Sequence, residues 1–261
     1  MLRSMKPIII ACCTLAIAMQ SAAAMDFKAK QMMLYDYTTG SVLMEHNADE
    51  RMYPSSMSKL MTLYILFNRI KMQSIGLVDT LPVSEKAWKK GGSKMFVKVG
   101  DKVKVNDLIR GIIVQSGNDA CIVVAEGISG TEEGFAKLMN KTAESIDLTG
   151  SHFTNSTGWP DEQHYMTARD LLTLTERILL DTHEFYPFFR QESFTYSGIT
   201  QPNRKFINGV HDVRFRHPFR FFFSKLFRRF EIDTSEFARF QICRESRTSP
   251  RRERFRSVIW S

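Results

Sequence analysis

The chain has few cysteines and no recognisable metal-binding motif. Of its four cysteines, two lie in an N-terminal segment that we expect to be removed, which leaves Cys121 and Cys243 in a chain of 261 residues. Two cysteines are too few for a disulfide framework, and Cys121 falls in an apolar helical pattern typical of a small core residue. The six histidines include no HExxH pair and no His/Cys cluster with ligand spacing. The sequence therefore argues against a zinc enzyme, although spacing alone leaves His152 and His164 open as ligands.

Net charge is almost absent from the first 203 residues, although the whole chain carries +8. Residues 1–203 hold 21 Lys and Arg against 22 Asp and Glu, whereas residues 204–261 hold 15 against 6. The last 58 residues also contain 13 of the 20 arginines and 11 of the 20 phenylalanines, but no Met and no Tyr. A content of 43% hydrophobic and 25% charged residues excludes a chain disordered throughout, a collagen and a polytopic membrane protein. The basic charge is thus a property of a tail with its own composition.

The N-terminus has the pattern of a cleavable secretory signal. Arg3 and Lys6 precede an apolar run from Pro7 to Met19, and three alanines follow at positions 22–24. We expect cleavage after residue 24 and export of the chain. The apolar run is only slightly shorter than a membrane span, so an uncleaved signal anchor is the alternative.

The pattern of the remaining chain predicts an α+β fold. Residues 30–37 and 41–46 read as two strands around a Thr-Thr-Gly turn and form an N-terminal hairpin. Thr167 is a predicted helix N-cap, and Ser129 with Glu132 has the spacing of a capping box. Residues 80–104 are expected to be rich in loops. Apolar periodicity predicts helices over residues 57–70, 105–115, 119–128, 131–147 and 167–180, and residues 194–199 resemble one more strand.

The start of the first predicted helix carries a candidate nucleophile. Ser56 and Lys59 are three residues apart in Ser-Met-Ser-Lys, which on a helix places both side chains on one face. A serine becomes a good nucleophile when a neighbouring group takes its proton, and a partly desolvated, neutral lysine can do so. The positive end of a helix disfavours the ammonium, and its free N–H groups favour an oxyanion. Spacing, chemistry and position all indicate nucleophilic catalysis.

A second polar motif supports the first. Ser116, Gly117 and Asn118 lie 60 residues after Ser56, in a short break between two apolar helical segments where a hydroxyl and an amide can project into a cleft. Each motif has an ordinary alternative: an N-cap serine followed by a solvated lysine, and a polar turn in which Asn118 or Asp119 caps the next helix. A turn accounts for the polarity of the break, but not for its occurrence together with Ser-x-x-Lys.

These motifs, with several others in the same order, resemble the serine-type D-alanyl-D-alanine carboxypeptidases, the low-molecular-mass penicillin-binding proteins of the SxxK acyltransferase group. The resemblance covers about residues 33–204. The matching segments are Leu34-Tyr35-Asp36 with Gly40, Pro54 to Thr62, Leu108 to Gly111, Gln115 to Cys121, His152 to Asn155 with Gly158, Thr167 to Asp170, Phe194 to Tyr196 with Gly198 and Ile199, and Asn203-Arg204. The resemblance implies a penicillin-binding or serine β-lactamase-like domain, with an N-terminal hairpin and a helical cluster.

The resemblance also implies a role for each candidate site residue. Ser56 would attack the carbonyl of the penultimate D-Ala in a peptidoglycan stem peptide ending in D-Ala-D-Ala, forming an acyl-enzyme that water hydrolyses. Lys59 would activate Ser56, and Ser116 would relay the proton to the leaving amine. Asn118 would hold the peptide amide or the side chain of Lys59. β-Lactam antibiotics would acylate Ser56 as well, no metal or organic cofactor is implied, and the expected location is the periplasm.

The family's third motif, Lys-Thr-Gly, is absent from this chain. It would bind the substrate carboxylate and supply one N–H of the oxyanion hole, and the loss of one such donor costs about 10²–10³ in turnover. The resemblance ends at about residue 204, where charge and composition also change, and a shifted reading frame near residue 205 is our hypothesis for both. The predicted organisation is a signal over 1–24, an incomplete peptidase domain over 25–204 and an unrelated tail over 205–261. Later sheet strands would be missing, leaving the hairpin without partners at its edges.

The tail suggests an alternative function. Its apolar residues recur at helical spacing with basic residues elsewhere around the helix, which is typical of a cationic helix lying on anionic lipid. They are Phe219, Phe222, Phe223, Leu226, Phe227 and Phe230. The alternatives to an active carboxypeptidase are therefore a non-catalytic, truncated penicillin-binding protein whose tail contacts the membrane, and a serine β-lactamase. No segment resembles the carboxylate-bearing loop that a β-lactamase needs, and export argues against nucleic acid as a partner.

Overall fold

The computed structural model describes residues 29–37, 39–203, 240–242 and 257–260. The predicted signal over 1–24, the position of the proposed frame change near 205 and the predicted amphipathic helix over 219–230 lie outside the described residues. Within the ranges that are described, no helix has both the length and the apolar character needed to cross a bilayer.

A hairpin opens the chain, a run of helices fills its middle and further strands follow, which confirms the α+β prediction. A one-turn 3₁₀ helix over Ser55–Ser58 leads into the first α-helix, and a second 3₁₀ turn covers His183–Phe185. The other elements are, in chain order, β1 (Met32–Asp36), β2 (Ser41–His46), α1 (Lys59–Lys71), β3 (Thr80–Pro82), α2 (Glu85–Lys89), β4 (Lys102–Lys104), α3 (Val105–Gln115), α4 (Asn118–Ser129), α5 (Glu132–Ser145), α6 (Ala168–Asp181), α7 (Tyr186–Phe189), β5 (Ser193–Tyr196), β6 (Ile199–Pro202), β7 (Phe240–Ile242) and β8 (Ser257–Trp260).

The N-terminal hairpin belongs to a four-stranded antiparallel sheet with the strand order β2-β1-β8-β7. β1 pairs with β2 on one side and with β8 on the other, where Met33 lies opposite Trp260. The expectation that the hairpin lacks sheet partners is therefore wrong, because two strands from beyond residue 204 complete the sheet. The physical reason is that an open strand edge offers backbone N–H and C=O groups, which any extended segment can pair with, whatever its sequence.

Helix α1 is the centre of the fold because it is apolar on more than one face. Met61 and Ile65 pack into a cluster with α5 and α6, whereas Leu66 and Phe67 pack into a second cluster with α3 and α4. The ring of Phe67 stacks on Phe185 with centroids 4.6 Å apart. Each fully buried side chain of this size contributes about 1.5–3 kcal/mol, so the two clusters fix the position of the helix that begins at Lys59.

Local signals in the sequence gave mixed results for helix starts. Thr167 is the N-cap of α6, and its hydroxyl accepts a hydrogen bond from the amide of Asp170 at 3.0 Å, as predicted. The capping box starting at Ser129 is wrong, since α4 continues through Ser129 and the next helix is capped by Thr131. The buried position of Cys121, which has no exposed surface, confirms it as a small core residue.

The segments predicted as a single strand and as a loop-rich stretch both contain paired strands. Residues 194–199 belong to a hairpin, β5–β6, that turns at Ser197 and Gly198, both with positive φ. The single-strand prediction is wrong because the Ser-Gly pair forms a type I′-like turn between two strands. In the loop-rich stretch, β3 pairs with β4, and the short helix α2 lies between them.

Candidate active site

Ser56 and Lys59 meet at the junction between the first 3₁₀ helix and α1. Lys59 Nζ lies 2.9 Å from Ser56 Oγ and donates a 2.7 Å hydrogen bond to the carbonyl oxygen of Thr157. Lys59 is only 2% exposed, which is exceptional for a lysine. Desolvation disfavours an ammonium, and an uncharged lysine amine can accept a proton from a neighbouring serine.

The backbone is strained next to one candidate serine, Ser56, and at the other, Ser116. Ser55, which precedes Ser56, has φ 46°, and Ser116 has φ 55° at the C-terminus of α3. The left-handed region costs an L-residue about 1–2 kcal/mol, and such strain concentrates at functional sites. The fold holds both hydroxyl-bearing turns in conformations that the isolated chain would avoid.

A tight turn over residues 155–159 presents the carbonyl of Thr157 to Lys59. The side-chain oxygen of Asn155 accepts hydrogen bonds from the amides of Thr157, Gly158 and Trp159. Gly158 has φ 78°, and a Cβ there would overlap the carbonyl oxygen of Ser55. Only glycine therefore fits the close approach of this turn to the serine-bearing 3₁₀ helix.

Buried polar contacts anchor the same turn from behind. Glu132 accepts hydrogen bonds from the amide and the hydroxyl of Ser156, and it forms a 3.0 Å ion pair with Lys86. The hydroxyl of Thr62, on α1, donates to the carbonyl of Ser156 at 2.7 Å. These bonds tie the turn directly to the helix that carries Lys59.

The Ser116-Gly117-Asn118 motif forms the predicted break between α3 and α4. Ser116 Oγ is buried and has no hydrogen-bond partner among the residues that the structure describes. The side-chain amide of Asn118 donates to the carbonyl of Gly91 at 2.9 Å. The carboxylate of Asp119 accepts bonds from the backbone amides of residues 95–97 and of Ala120. The break is thus fixed against residues 91–97, while the hydroxyl of Ser116 stays available.

Residues 91 and 92 connect the two motifs. A Cβ on Gly92 would lie 2.7 Å from the side-chain amide nitrogen of Asn118 and 3.2 Å from the ring of Trp159. Trp159 is the last residue of the 155–159 turn, and Lys90 Nζ lies 4.1 Å from the centroid of its ring. Asn118, from the second motif, and Trp159, from the turn beside the first, therefore both lie against Gly92.

A buried histidine contacts the 3₁₀ helix that carries Ser56. His164 is 2% exposed, and its Nε2 is 2.7 Å from the hydroxyl of Ser58. Burial, opposed by Asp161 and assisted by His152 and Lys59, lowers the pKa of His164 to about 4. In the part of the chain that the structure covers, no group of three His, Cys, Asp or Glu side chains could hold a metal ion.

The groups that hold the site together were not predicted in these roles. Thr157 and His164 bond to Lys59 and Ser58, whereas Glu132 and Asp119 anchor the neighbouring segments. The sequence indicated Glu132 only in a capping box, Asp119 only as a possible cap and His164 only as an open metal ligand. The available signal was the polar segment Asn155 to Gly158, whose Asn and Gly are typical of a side-chain-capped turn with one left-handed residue. No sequence pattern indicated which helix that turn would contact.

Comparison with known proteins agrees with this architecture. The family model described as D-alanyl-D-alanine carboxypeptidase (Peptidase_S11) matches residues 18–213. D-alanyl-D-alanine carboxypeptidase DacC of Escherichia coli K12 is 39% identical over 193 residues, covering 72% of this chain and 48% of the relative. The chain thus spans about half the length of the curated relatives it matches.

Solved structures show the same relationship. Penicillin-binding protein 5 of Haemophilus influenzae superposes with a TM-score of 0.67 at 37% identity, over 69% of this chain and 53% of the other. Penicillin-binding protein D2 of Listeria monocytogenes, solved in an ampicillin-bound form, superposes over 89% of this chain and 88% of the other, with a TM-score of 0.66. At 18% identity, that second match shows the fold alone. By sequence and by fold, the chain belongs to the D-alanyl-D-alanine carboxypeptidase family of serine peptidases.

Proposed function

We propose that this chain is an exported serine D-Ala-D-Ala carboxypeptidase that removes the terminal D-Ala from peptidoglycan stem peptides. The observation that carries the proposal is the 2.9 Å contact between Ser56 Oγ and the buried Nζ of Lys59. This contact joins a nucleophile to a base shielded from water, which acyl transfer from a peptide requires. Membership of the family supplies the substrate class.

The proposed reaction uses three side chains. The neutral amine of Lys59 takes the proton of Ser56 as Oγ bonds to the carbonyl carbon of the penultimate D-Ala. The C–N bond to the terminal D-Ala then breaks, and the leaving amine receives a proton through the hydroxyl of Ser116. A water molecule later attacks the ester on Ser56, releasing the shortened peptide and restoring the serine. The carbonyl of Thr157 holds Lys59 Nζ in place throughout.

The missing Lys-Thr-Gly motif sets the expected rate. Without it, the carboxylate of the substrate loses its cationic partner, and one N–H of the oxyanion hole is absent. Removal of one such donor typically lowers turnover about 10²–10³-fold. We therefore expect slow turnover with an intact nucleophile, rather than an inert site.

A serine β-lactamase is less well supported. It needs a carboxylate poised to activate the deacylating water. The buried carboxylates of Asp36, Asp119, Glu132 and Asp170, in the described ranges, are bonded to Thr39, to backbone amides of residues 95–97, to Ser156 and to Ser151, respectively. Each of them has a hydrogen-bond donor other than Ser56. β-Lactams are accordingly proposed as acylating ligands of Ser56.

The proposed setting of the reaction rests on the sequence. Export to the periplasm follows from the N-terminal signal pattern, and peripheral membrane contact follows from the apolar and basic pattern of residues 219–230. Liposome flotation of the whole chain at low and high salt tests the second point, because an electrostatic contact with anionic lipid weakens as salt screens it. Absence of binding at low salt would remove the membrane contact from the proposal.

Release of D-Ala tests the proposed function directly. The full chain is incubated with a peptide ending in D-Ala-D-Ala, and free D-Ala is measured against Ser56→Ala and Ser74→Ala variants. Ser74 is an exposed serine near the end of α1 that bonds to the carbonyl of Arg69, so it is a matched control. We expect slow release by the parent chain and by Ser74→Ala, and none by Ser56→Ala. No release by folded parent protein would contradict the proposed function.

A further inference from the structure

The hydrogen bonds of His164 define which ring nitrogen carries its proton. The backbone amide of Thr154 points at Nδ1 of His164 at 3.2 Å, and a backbone amide can only donate. The hydroxyl of Thr154 lies 3.3 Å from the same nitrogen and can donate to it as well. An unprotonated Nδ1 that accepts the amide leaves the proton of the neutral ring on Nε2. Nε2 lies 2.7 Å from Ser58 Oγ, so the imidazole donates and the serine hydroxyl accepts.

The neutral form of this ring is what its surroundings favour. The imidazole is buried, and the edge-to-face ring of Phe153 lies 5.6 Å away between centroids. The titratable groups that act on it are Asp161, which favours protonation, and His152 and Lys59, which oppose it. Protonation of Nδ1 would also place an N–H against the N–H of Thr154.

Ser58 occupies the position between the two reactive groups. It is the last residue of the 3₁₀ helix that carries Ser56, and it directly precedes Lys59. Its hydroxyl faces the 155–159 turn, because a Cβ on Gly158 would come within 3.0 Å of it. A bond to Ser58 therefore fixes the 3₁₀ helix from the side that faces this turn.

The same segment that carries His164 also carries the acceptor for Lys59. Thr157 accepts from Lys59 at 2.7 Å, and His164 donates to Ser58 at 2.7 Å. Thr157 and His164 lie on the loop between α5 and α6, so two bonds from this loop hold the successive residues Ser58 and Lys59. Loss of the His164 bond would allow the loop and the 3₁₀ helix to shift relative to each other, moving Thr157 away from its place beside Lys59.

We propose that His164 is a positioning residue for the Ser56–Lys59 pair. Its neutral Nε2–H tautomer donates to Ser58 and accepts from Thr154. These two bonds fix the position of the 155–159 turn, which orients Lys59, relative to the 3₁₀ helix that carries Ser56. The inference rests on the proposed role of Ser56 as nucleophile. It assigns a function to a residue that touches neither the substrate nor the reacting atoms.

The test compares variants that keep or remove the two hydrogen bonds. In His164→Gln, the side-chain amide can donate to Ser58 and accept from Thr154, whereas His164→Leu fills similar space without either bond. Ser58→Ala removes only the acceptor. His183→Leu is the matched control, since the side chain of His183 is 79% exposed and lies 3.5 Å from the carboxylate of Glu184.

The first measurement is the second-order rate of acylation of the full chain by a fluorescent penicillin. We expect His164→Leu and Ser58→Ala to slow acylation about 10–100-fold, because small displacements of reacting groups have effects of this size. His164→Gln should stay within about threefold of the parent chain, and His183→Leu should equal it. Parent-like acylation of folded His164→Leu, or of folded Ser58→Ala, would overturn the proposal, as would a His164→Gln variant no faster than the leucine variant.

The second measurement does not depend on acylation. Long-range ¹H–¹⁵N spectra report which ring nitrogen of His164 is protonated, and a proton on Nδ1 would overturn the proposal. The ¹⁵N signal of Lys59 Nζ should move in His164→Leu and in Ser58→Ala but stay in place in His164→Gln. A parent chain that is folded but never acylated refutes the proposed function, and these spectra then decide the positioning role by themselves.

Discussion

A single methyl group at Gly158 should disrupt the site, and its effect can be separated from simple backbone strain. Gly158 has φ 78°, and a Cβ there would overlap the carbonyl oxygen of Ser55 and approach Ser58 Oγ to 3.0 Å. The 155–159 turn and the 3₁₀ helix would have to move apart. That movement pulls on the bonds from Lys59 to Thr157 and from His164 to Ser58.

The expected cost of Gly158→Ala has three parts. An L-residue in the left-handed region costs about 1–2 kcal/mol, overpacking in a filled site about 1–3 kcal/mol, and each weakened buried hydrogen bond about 1 kcal/mol. With two weakened bonds, we expect the free energy of unfolding to fall by about 4–7 kcal/mol in total. Acylation by penicillin should slow about 10²-fold in the protein that remains folded.

Gly130→Ala is the matched control for this change. Gly130 has nearly the same φ, 77°, but nothing lies within 4 Å of the position that a Cβ would take. Its substitution should cost only the backbone part, about 1–2 kcal/mol, and should leave acylation unchanged. Denaturant unfolding and acylation rates of both variants make the comparison. If Gly158→Ala were no more destabilising than Gly130→Ala, and reacted as fast, the close approach of the turn to Ser55 would be refuted.

Three further predictions concern pH, a buried carboxylate and a helix cap. Burial lowers the pKa of His164 from 6.5 to about 4, so the unfolded chain binds this proton first as pH falls. The contribution of the neutral ring to the free energy of unfolding should be full above pH 6.5 and decline by about 3 kcal/mol towards pH 4. Unfolding measurements should find this decline absent in His164→Gln. Asp119→Ala leaves several buried amides unpaired and should cost about 3–5 kcal/mol in denaturant unfolding, and a cost below 1 kcal/mol would contradict the anchoring of residues 95–97. Thr131→Ala should cost about 1 kcal/mol by loss of the bond from Gly134, whereas Ser129→Ala should cost almost nothing; the reverse order in thermal unfolding would restore the capping box at Ser129.

The sequence was most informative where a local rule decides the structure. Ser56 and Lys59 share a helical face by spacing alone, and the polar break at Ser116 interrupts two apolar helices. The cap at Thr167 could be predicted for the same reason, since its bond reaches only three residues along the chain. Features of this kind need no knowledge of the rest of the fold.

The contacts that complete the site were not predictable in the same way. Thr157 meets Lys59 across 98 residues, and His164 meets Ser58 across 106. Such pairs depend on how α1 packs between its two clusters, which no local pattern encodes. The pairing of β1 with β8 was missed for a related reason, because backbone pairing at an open edge depends on which segment reaches it.

The central claim is that Ser56 is a nucleophile activated by Lys59, and mass spectrometry of the full chain after incubation with penicillin tests it most directly. We predict one antibiotic added per chain, located on the peptide that contains Ser56, and no adduct in Ser56→Ala. A folded protein that gains no mass, or an adduct that persists in Ser56→Ala, would contradict the account.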